Sequence, residues 1–159
     1  MPDVVSPETR SRMMAGIRGR NTRPEMILRK GLHGRGFRFR LHRKDLPGKP
    51  DLVLPKYHAV IFINGCFWHG HDCHLFRWPS SRVEFWRKKI SRSRERDAEV
   101  REALSDAGWR ILDVWECALK GRERVPLETV LDRASAWLAS DSHCATIRGD
   151  QGPTSETRA

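Results

Sequence analysis

The stretch Asn64-Gly65-Cys66-Phe67-Trp68-His69-Gly70-His71-Asp72-Cys73 brings together thiols, imidazoles and two adjacent aromatic rings. Thiolates and imidazoles are the donors that zinc prefers. Cys66-x4-His71-x-Cys73, joined by Cys117 far downstream, offers three sulfurs and one ring nitrogen, a set suited to a tetrahedral site. Four protein ligands fill that shell and leave no position for water, so the zinc expected here is structural rather than catalytic. His69, His74 and Asp72 are alternative ligands. Buried free thiols beside surface histidines are the plainer alternative. Cys144 lies farther along, in a segment expected to be a tail, and is left out of the ligand set.

A second constellation consists of acids and an imidazole. Gly48-Lys49-Pro50-Asp51 places a carboxylate at the start of a short strand. Magnesium binds through few carboxylates together with phosphate oxygens and water, so Asp51 is a candidate magnesium ligand; an ordinary Pro-Asp turn is the competing reading. Glu25 stands three residues after Thr22, the spacing of a capping box, and local chemistry favours that capping role. His69 is a candidate general acid or base, because an imidazole exchanges protons near neutral pH; a loose metal ligand or an exposed loop residue would serve as well. Asp97 falls on the same helical face as Trp86, Ile90, Val100 and Leu104. A carboxylate on an apolar stripe needs a partner, and His69 is the candidate.

The elements that must hold these residues follow from patterning. Ser6 and Pro7 open a first helix carrying Met13, Met14 and Ile17. Thr22-Arg23-Pro24-Glu25 opens a second, with Met26, Ile27, Leu28 and Leu32 as its apolar stripe. Phe37 to Leu41 alternates apolar and basic, Asp51 to Leu54 is a short strand, and Tyr57 to Ile63 is a nearly continuous apolar run suited to a central strand. Ser81 and Glu84 predict another capping box, opening a long helix to about Ala107. Its Arg87, Lys88, Lys89, Arg92, Arg94 and Arg96 interleave with Phe85 and Trp86, the combination that tracks phosphate and stacks on bases. A strand from Trp109 to Trp115 and a helix from Pro126 complete the pattern. The order αα-βββ-α-β-α implies an α/β fold, a mixed central sheet flanked by helices. It predicts a domain over 1–140 and a disordered tail over 141–159.

The whole chain has 159 residues, 30 Lys+Arg against 20 Asp+Glu and a net charge of +10. A domain this basic favours polyanions, nucleic acid first. No apolar run is long enough to span a membrane, and Met1 to Ser6 lacks the charged start and apolar centre of a secretory signal. The cysteines are therefore expected to be metal ligands or free thiols in a cytoplasmic protein.

Taken together, Arg20-Asn21-Thr22-x-x-Glu25, Leu46-Pro47-Gly48-Lys49-Pro50-Asp51, Gly65-Cys66-Phe67-Trp68-His69, Glu95-Arg96-Asp97 and Val114-Trp115-Glu116-Cys117-Ala118-Leu119-x-Gly121-Arg122 resemble the very-short-patch-repair (Vsr) endonucleases, mismatch-specific DNA nicking enzymes of bacteria. The match runs from about Thr9 to Trp137. The resemblance implies a restriction-endonuclease-like fold with a zinc site, and magnesium-dependent nicking 5′ to the T of a T:G mismatch arising from 5-methylcytosine deamination. Carried over, Asp51 would hold magnesium, and His69 and Glu25 would assist the chemistry. Cys66, His71, Cys73 and Cys117 would hold zinc. Phe67, Trp68 and Trp86 would wedge into the base stack, Met14 would reach the DNA from the minor-groove side, and Lys89 lies on the basic helix face. The expected partner is duplex DNA with a T:G mismatch, met by a monomer, with mismatch-repair proteins as candidate recruiters and no membrane.

Departures from the family pattern mark three positions. Asn64 stands where some members place a catalytic histidine and cannot accept and release a proton. Ile63 stands where a metal-contacting threonine occurs, and serves equally if the contact is through the backbone carbonyl. Ser93 stands at a base-contacting position sometimes held by Asn. Two other classes fit the same residues: a non-catalytic zinc-stabilised DNA-binding module, and a restriction enzyme of the same fold that cuts both strands of matched DNA.

Overall fold

A computed structural model describes residues 22–149. The helix expected from Ser6, with Met14, lies outside them. Helix α1 (Arg23–Gly34) has Pro24 in its first turn and buries Leu28 and Leu32, four residues apart and so on one face. Neither expected capping box forms. No side chain caps α1, and Glu25 is buried against other residues instead. Helix α2 (Val83–Asp106) is entered through Arg82 in the left-handed conformation, φ 54°, which displaces Ser81 from the cap position.

Five strands form one mixed sheet in the order β1-β2-β3-β4-β5. Strand β1 (Arg40–Leu41) pairs antiparallel with β2 (Leu52–Leu54), and β2 with β3 (Ala59–Asn64). The strand expected over Phe37 to Leu41 is thus only its last two residues. Phe37 and Phe39 pack against the core without joining the ladder. A 3-10 turn at Pro55–Tyr57, closed by His58 in the left-handed region, takes up the start of the expected Tyr57 strand. Strand β4 (Arg110–Trp115) runs parallel to β3, with Asn64 opposite Trp115 at their shared end.

Strands β2 to β4 are buried on both faces, as their continuous apolar runs require. One face carries Leu52, Leu54, Ala59, Ile61, Leu112 and Val114 against α1 and helix α4 (Leu127–Ala139). The other carries Val53, Val60 and Ile111 against Leu104 of α2. Full burial of a leucine such as Leu104 stabilises by about 2 kcal/mol. Among the described residues of α2 only Ile90 and Leu104 are fully buried, so most of its basic surface faces water.

The chain remains structured past Ser140, which corrects the expectation of a disordered tail from 141. Strand β5 (Cys144–Ile147) pairs parallel with β4, Ile111 opposite Cys144 and Val114 opposite Ile147, and Ile147 enters the main core. The neighbouring strand supplies the backbone hydrogen bonds that so short a segment cannot make by itself. No helix among the described residues is long and apolar enough to cross a membrane.

Candidate metal centres and active site

The parallel ends of β3 and β4 bring distant ligands together. Cys66 lies two residues beyond Asn64, and Cys117 lies two beyond Trp115 in the short helix α3 (Glu116–Leu119). Turn bonds fold the intervening loop back, His71 N–H donating to the Cys66 carbonyl at 2.9 Å and Gly70 N–H to that of Phe67 at 3.1 Å. The donor atoms of Cys66, His71, Cys73 and Cys117 all lie within 4.8 Å of one another. Three sulfurs and one imidazole converging on one point have the donor chemistry of a zinc site.

Electrostatics agree with this. Hydrogen bonding from Cys66 and, secondarily, from His71 and the Gly149 N–H (3.2 Å) holds the Cys117 thiol down to about 4. Cys66 is pushed up by its bond to Cys117 and then by burial, and Cys73 is raised by burial. Binding of a dication by these thiols would release their protons. The His71 ring stacks on Trp115, centroids 3.9 Å apart and planes 6° from parallel. The alternative ligands are engaged elsewhere: His69 with Asp97, His74 with Glu123 at 3.0 Å and Asp72 with Arg148 at 2.9 Å. Cys144 is exposed on β5.

A second cluster lies where α1 meets the start of β2. Asp51 Oδ2 accepts the Ile63 N–H at 2.8 Å, tying the carboxylate to β3. This bond uses the Ile63 amide and is independent of its side chain. Glu25, 1% exposed, receives Arg29 at 3.1 Å and meets His42 Nε2 at 2.6 Å. His42 Nε2 is also 4.0 Å from Asp51 Oδ1, and one donor atom from each of Glu25, His42 and Asp51 lies within 4.8 Å of the others. Burial pushes the Asp51 carboxyl up to about 7; the Ile63 N–H opposes this, Glu25's charge adds to it, and His69's charge opposes it. Sequence reasoning missed His42 entirely. A single histidine after a two-residue strand carries no periodicity or spacing to mark it; its left-handed backbone, φ 48°, shows only in the fold.

His69 Nδ1 lies 2.6 Å from Asp97 Oδ2, the pairing expected from the α2 stripe. Arg101 donates to the Asp97 carbonyl at 3.1 Å and grips both oxygens of Asp113, one at 3.0 Å. Asn64 Nδ2 donates to that same Asp113 at 2.9 Å. Asn64, Asp113, Arg101, Asp97 and His69 thus form one continuous network. Much of it lines an open cavity of about 430 Å³ on the α2 side of the sheet. Asp113 and Arg101 are further residues that sequence reasoning did not single out.

Beside the thiol loop Phe67, Trp68 and Trp86 form a mutual aromatic cluster, with centroids 5.1, 5.3 and 5.9 Å apart. Each ring is only half-buried, so the cluster reaches solvent. On α2, Lys89 is exposed and Ser93 half-buried. The structure therefore gathers Glu25 with Asp51, His69 with Asp97, the Cys₃His set, and the three rings.

Comparison with known proteins agrees with this arrangement. The family model described as DNA mismatch endonuclease Vsr matches residues 2–75. The type II nicking enzyme V.XorIIP of Xanthomonas oryzae pv. oryzae is 48% identical over 134 residues, covering 83% of this chain and 98% of the relative. The DNA mismatch endonuclease Vsr of Escherichia coli is 44% identical over 147 residues, covering 92% and 94%. The type II nicking enzyme V.NmeAIP of Neisseria meningitidis is 43% identical over 122 residues, covering 77% and 87%.

Proposed function

Since the chain belongs to the Vsr family of DNA mismatch endonucleases, whose fold is restriction-endonuclease-like, we propose that it nicks one strand of duplex DNA 5′ to the T of a T:G mismatch left by 5-methylcytosine deamination. The observation that carries this reading is the convergence of Glu25 and Asp51, with His69 near enough for its charge to act on Asp51. Asp51 and Glu25 would hold a divalent cation, magnesium in the cell. Bound there, it would polarise the scissile phosphate and offset the charge that builds as water adds to phosphorus.

The protein's own groups do the rest. Asp97, 2.6 Å from Nδ1, fixes the His69 ring and leaves Nε2 for proton transfer. Water would attack phosphorus and give up a proton to His69 Nε2, the bond to the leaving sugar oxygen would break, and that oxygen would take up a proton from solvent. Asn64 transfers no proton. Through Asp113 and Arg101 it positions the helix that carries Asp97. Cys66, His71, Cys73 and Cys117 hold a structural zinc, which fixes the loop bearing Phe67, Trp68 and His69.

The rings serve as the wedge. Unstacking a base step costs a few kcal/mol, and a wobble pair yields more readily than a sound one, which selects the mismatch. Trp86, Lys89 and Ser93 on α2 would contact the DNA, Met14 would reach it from the minor-groove side, and a monomer would act in the cytoplasm with mismatch-repair proteins as candidate recruiters. The test is incubation of the protein and Mg²⁺ with end-labelled matched and T:G duplexes. A nick confined to the T strand of the mismatched duplex is expected. Cutting of both strands of matched DNA would make it a restriction enzyme, and no cleavage a binding module.

A further inference from the structure

His42 is the one member of the acidic cluster that the reaction above does not use. Its side chain is 13% exposed, and its Nε2 faces both carboxylates, at 2.6 Å from Glu25 and 4.0 Å from Asp51. Two constraints fix it there. Its backbone N–H donates to the Asp51 carbonyl at 3.2 Å, and its φ of 48° is left-handed. That conformation is disfavoured for a residue bearing a Cβ, and such strain persists where the surroundings over-determine it. What the strained position achieves is to aim one ring nitrogen between two acids.

Donors on one small cation, with bonds of roughly 2.1 Å, lie at most about 4.2 Å apart. The donor atoms here all lie within 4.8 Å of one another, so a closure of about 0.6 Å or less brings them onto one ion. We propose that His42 is a third protein ligand of the cation seated at Asp51 and Glu25, and that its nitrogen raises the preference of this centre for Mn²⁺ over Mg²⁺. Magnesium takes oxygen donors and keeps much of its water, whereas imidazole suits first-row transition ions. A seat of two carboxylates alone would discriminate less. The inference rests on the assignment of Asp51 and Glu25 as the cation seat.

The test uses the full chain with its Cys₃His site saturated with zinc, so that added manganese reports the acidic cluster. Mn²⁺ titration followed by electron paramagnetic resonance gives affinity, and spin-echo envelope modulation reports directly bound nitrogen. Wild type is expected to bind Mn²⁺ with clear nitrogen modulation. His42→Asn, whose side chain tolerates the left-handed backbone, and His42→Gln should both lose that modulation. They should weaken Mn²⁺ binding by about tenfold while Mg²⁺ affinity, read by competition, changes much less. Circular dichroism and thermal melting establish that both variants are folded. Modulation absent in wild type, or retained in both variants, overturns the proposal. If nitrogen coupling is absent but Asp51→Asn still abolishes Mn²⁺ binding, the seat survives and only His42's role fails. If Asp51→Asn binds Mn²⁺ like wild type, the seat itself is refuted.

Discussion

Asp51 is a carboxylate that the metal-free fold holds at a disadvantage, and that has a consequence for stability. Its folded-state pKa, about 7, lies above the ordinary carboxylate value of 3.8. Between those values the folded chain binds more protons than the unfolded one, so this group's contribution to stability falls as pH rises through the window. Asp51→Asn removes the penalty. In protein kept loaded with zinc but without added Mg²⁺ it should raise stability at pH 8 by roughly 1–3 kcal/mol and have little effect near pH 4, as read by urea unfolding at both pH values. The pairing at His69 makes a separate prediction. Asp97→Ala removes the acceptor that fixes the ring, so kcat for nicking should fall by about ten- to a hundredfold, with duplex affinity unchanged in a gel-shift titration. At this scale Asp97 was legible because a charged residue on an apolar helical stripe demands a partner. Glu25 was open to two readings: its spacing from Thr22 imitates a cap, while the resemblance gave it to the chemistry, and it is the contact with His42, distant in sequence, that takes it away from the cap. His42 was illegible, its significance being wholly spatial.

Among the elements, β5 changes the account most. It lay in a stretch too short and polar to signal a strand, and only the open edge of β4 makes it one. The two residues that follow reach the thiol loop, Arg148 bonding the Asp72 carboxylate and carbonyl, and Gly149 donating its N–H to Cys117 Sγ. The end of the described chain is therefore a strap across the candidate zinc site. At Gly149 a Cβ would come 2.6 Å from the Cys117 carbonyl and 2.9 Å from that of Glu123, neither of which can easily retreat. Gly149→Ala should cost about 1–3 kcal/mol and speed zinc release to a chromophoric chelator; unchanged melting and release would show that the strap bears on nothing. By contrast, the central strands and both long helices were legible, because β2 to β4 are continuous apolar runs and the helices carry stripes at helical spacing. Element ends were less so, since Arg82 and His58 enter the left-handed region where no local residue type announced it.

At the scale of the whole molecule, a net charge of +10 draws the chain toward DNA, while the sheet does the organising. Parallel pairing of β3 with β4 sets the thiol loop, with Phe67, Trp68 and His69, at one end, and antiparallel pairing of β2 with β3 ties Asp51 to the same strand. The ligands of the Cys₃His set could be read from residue type alone, but their meeting depends on that register. The most direct test of the central claim is single-turnover nicking of an end-labelled T:G duplex by Asp51→Ala beside wild type, with duplex affinity measured in parallel. The variant is expected to bind the duplex nearly as tightly as wild type and leave it uncut; cleavage by Asp51→Ala at the wild-type rate would show that Asp51 does not carry the reaction.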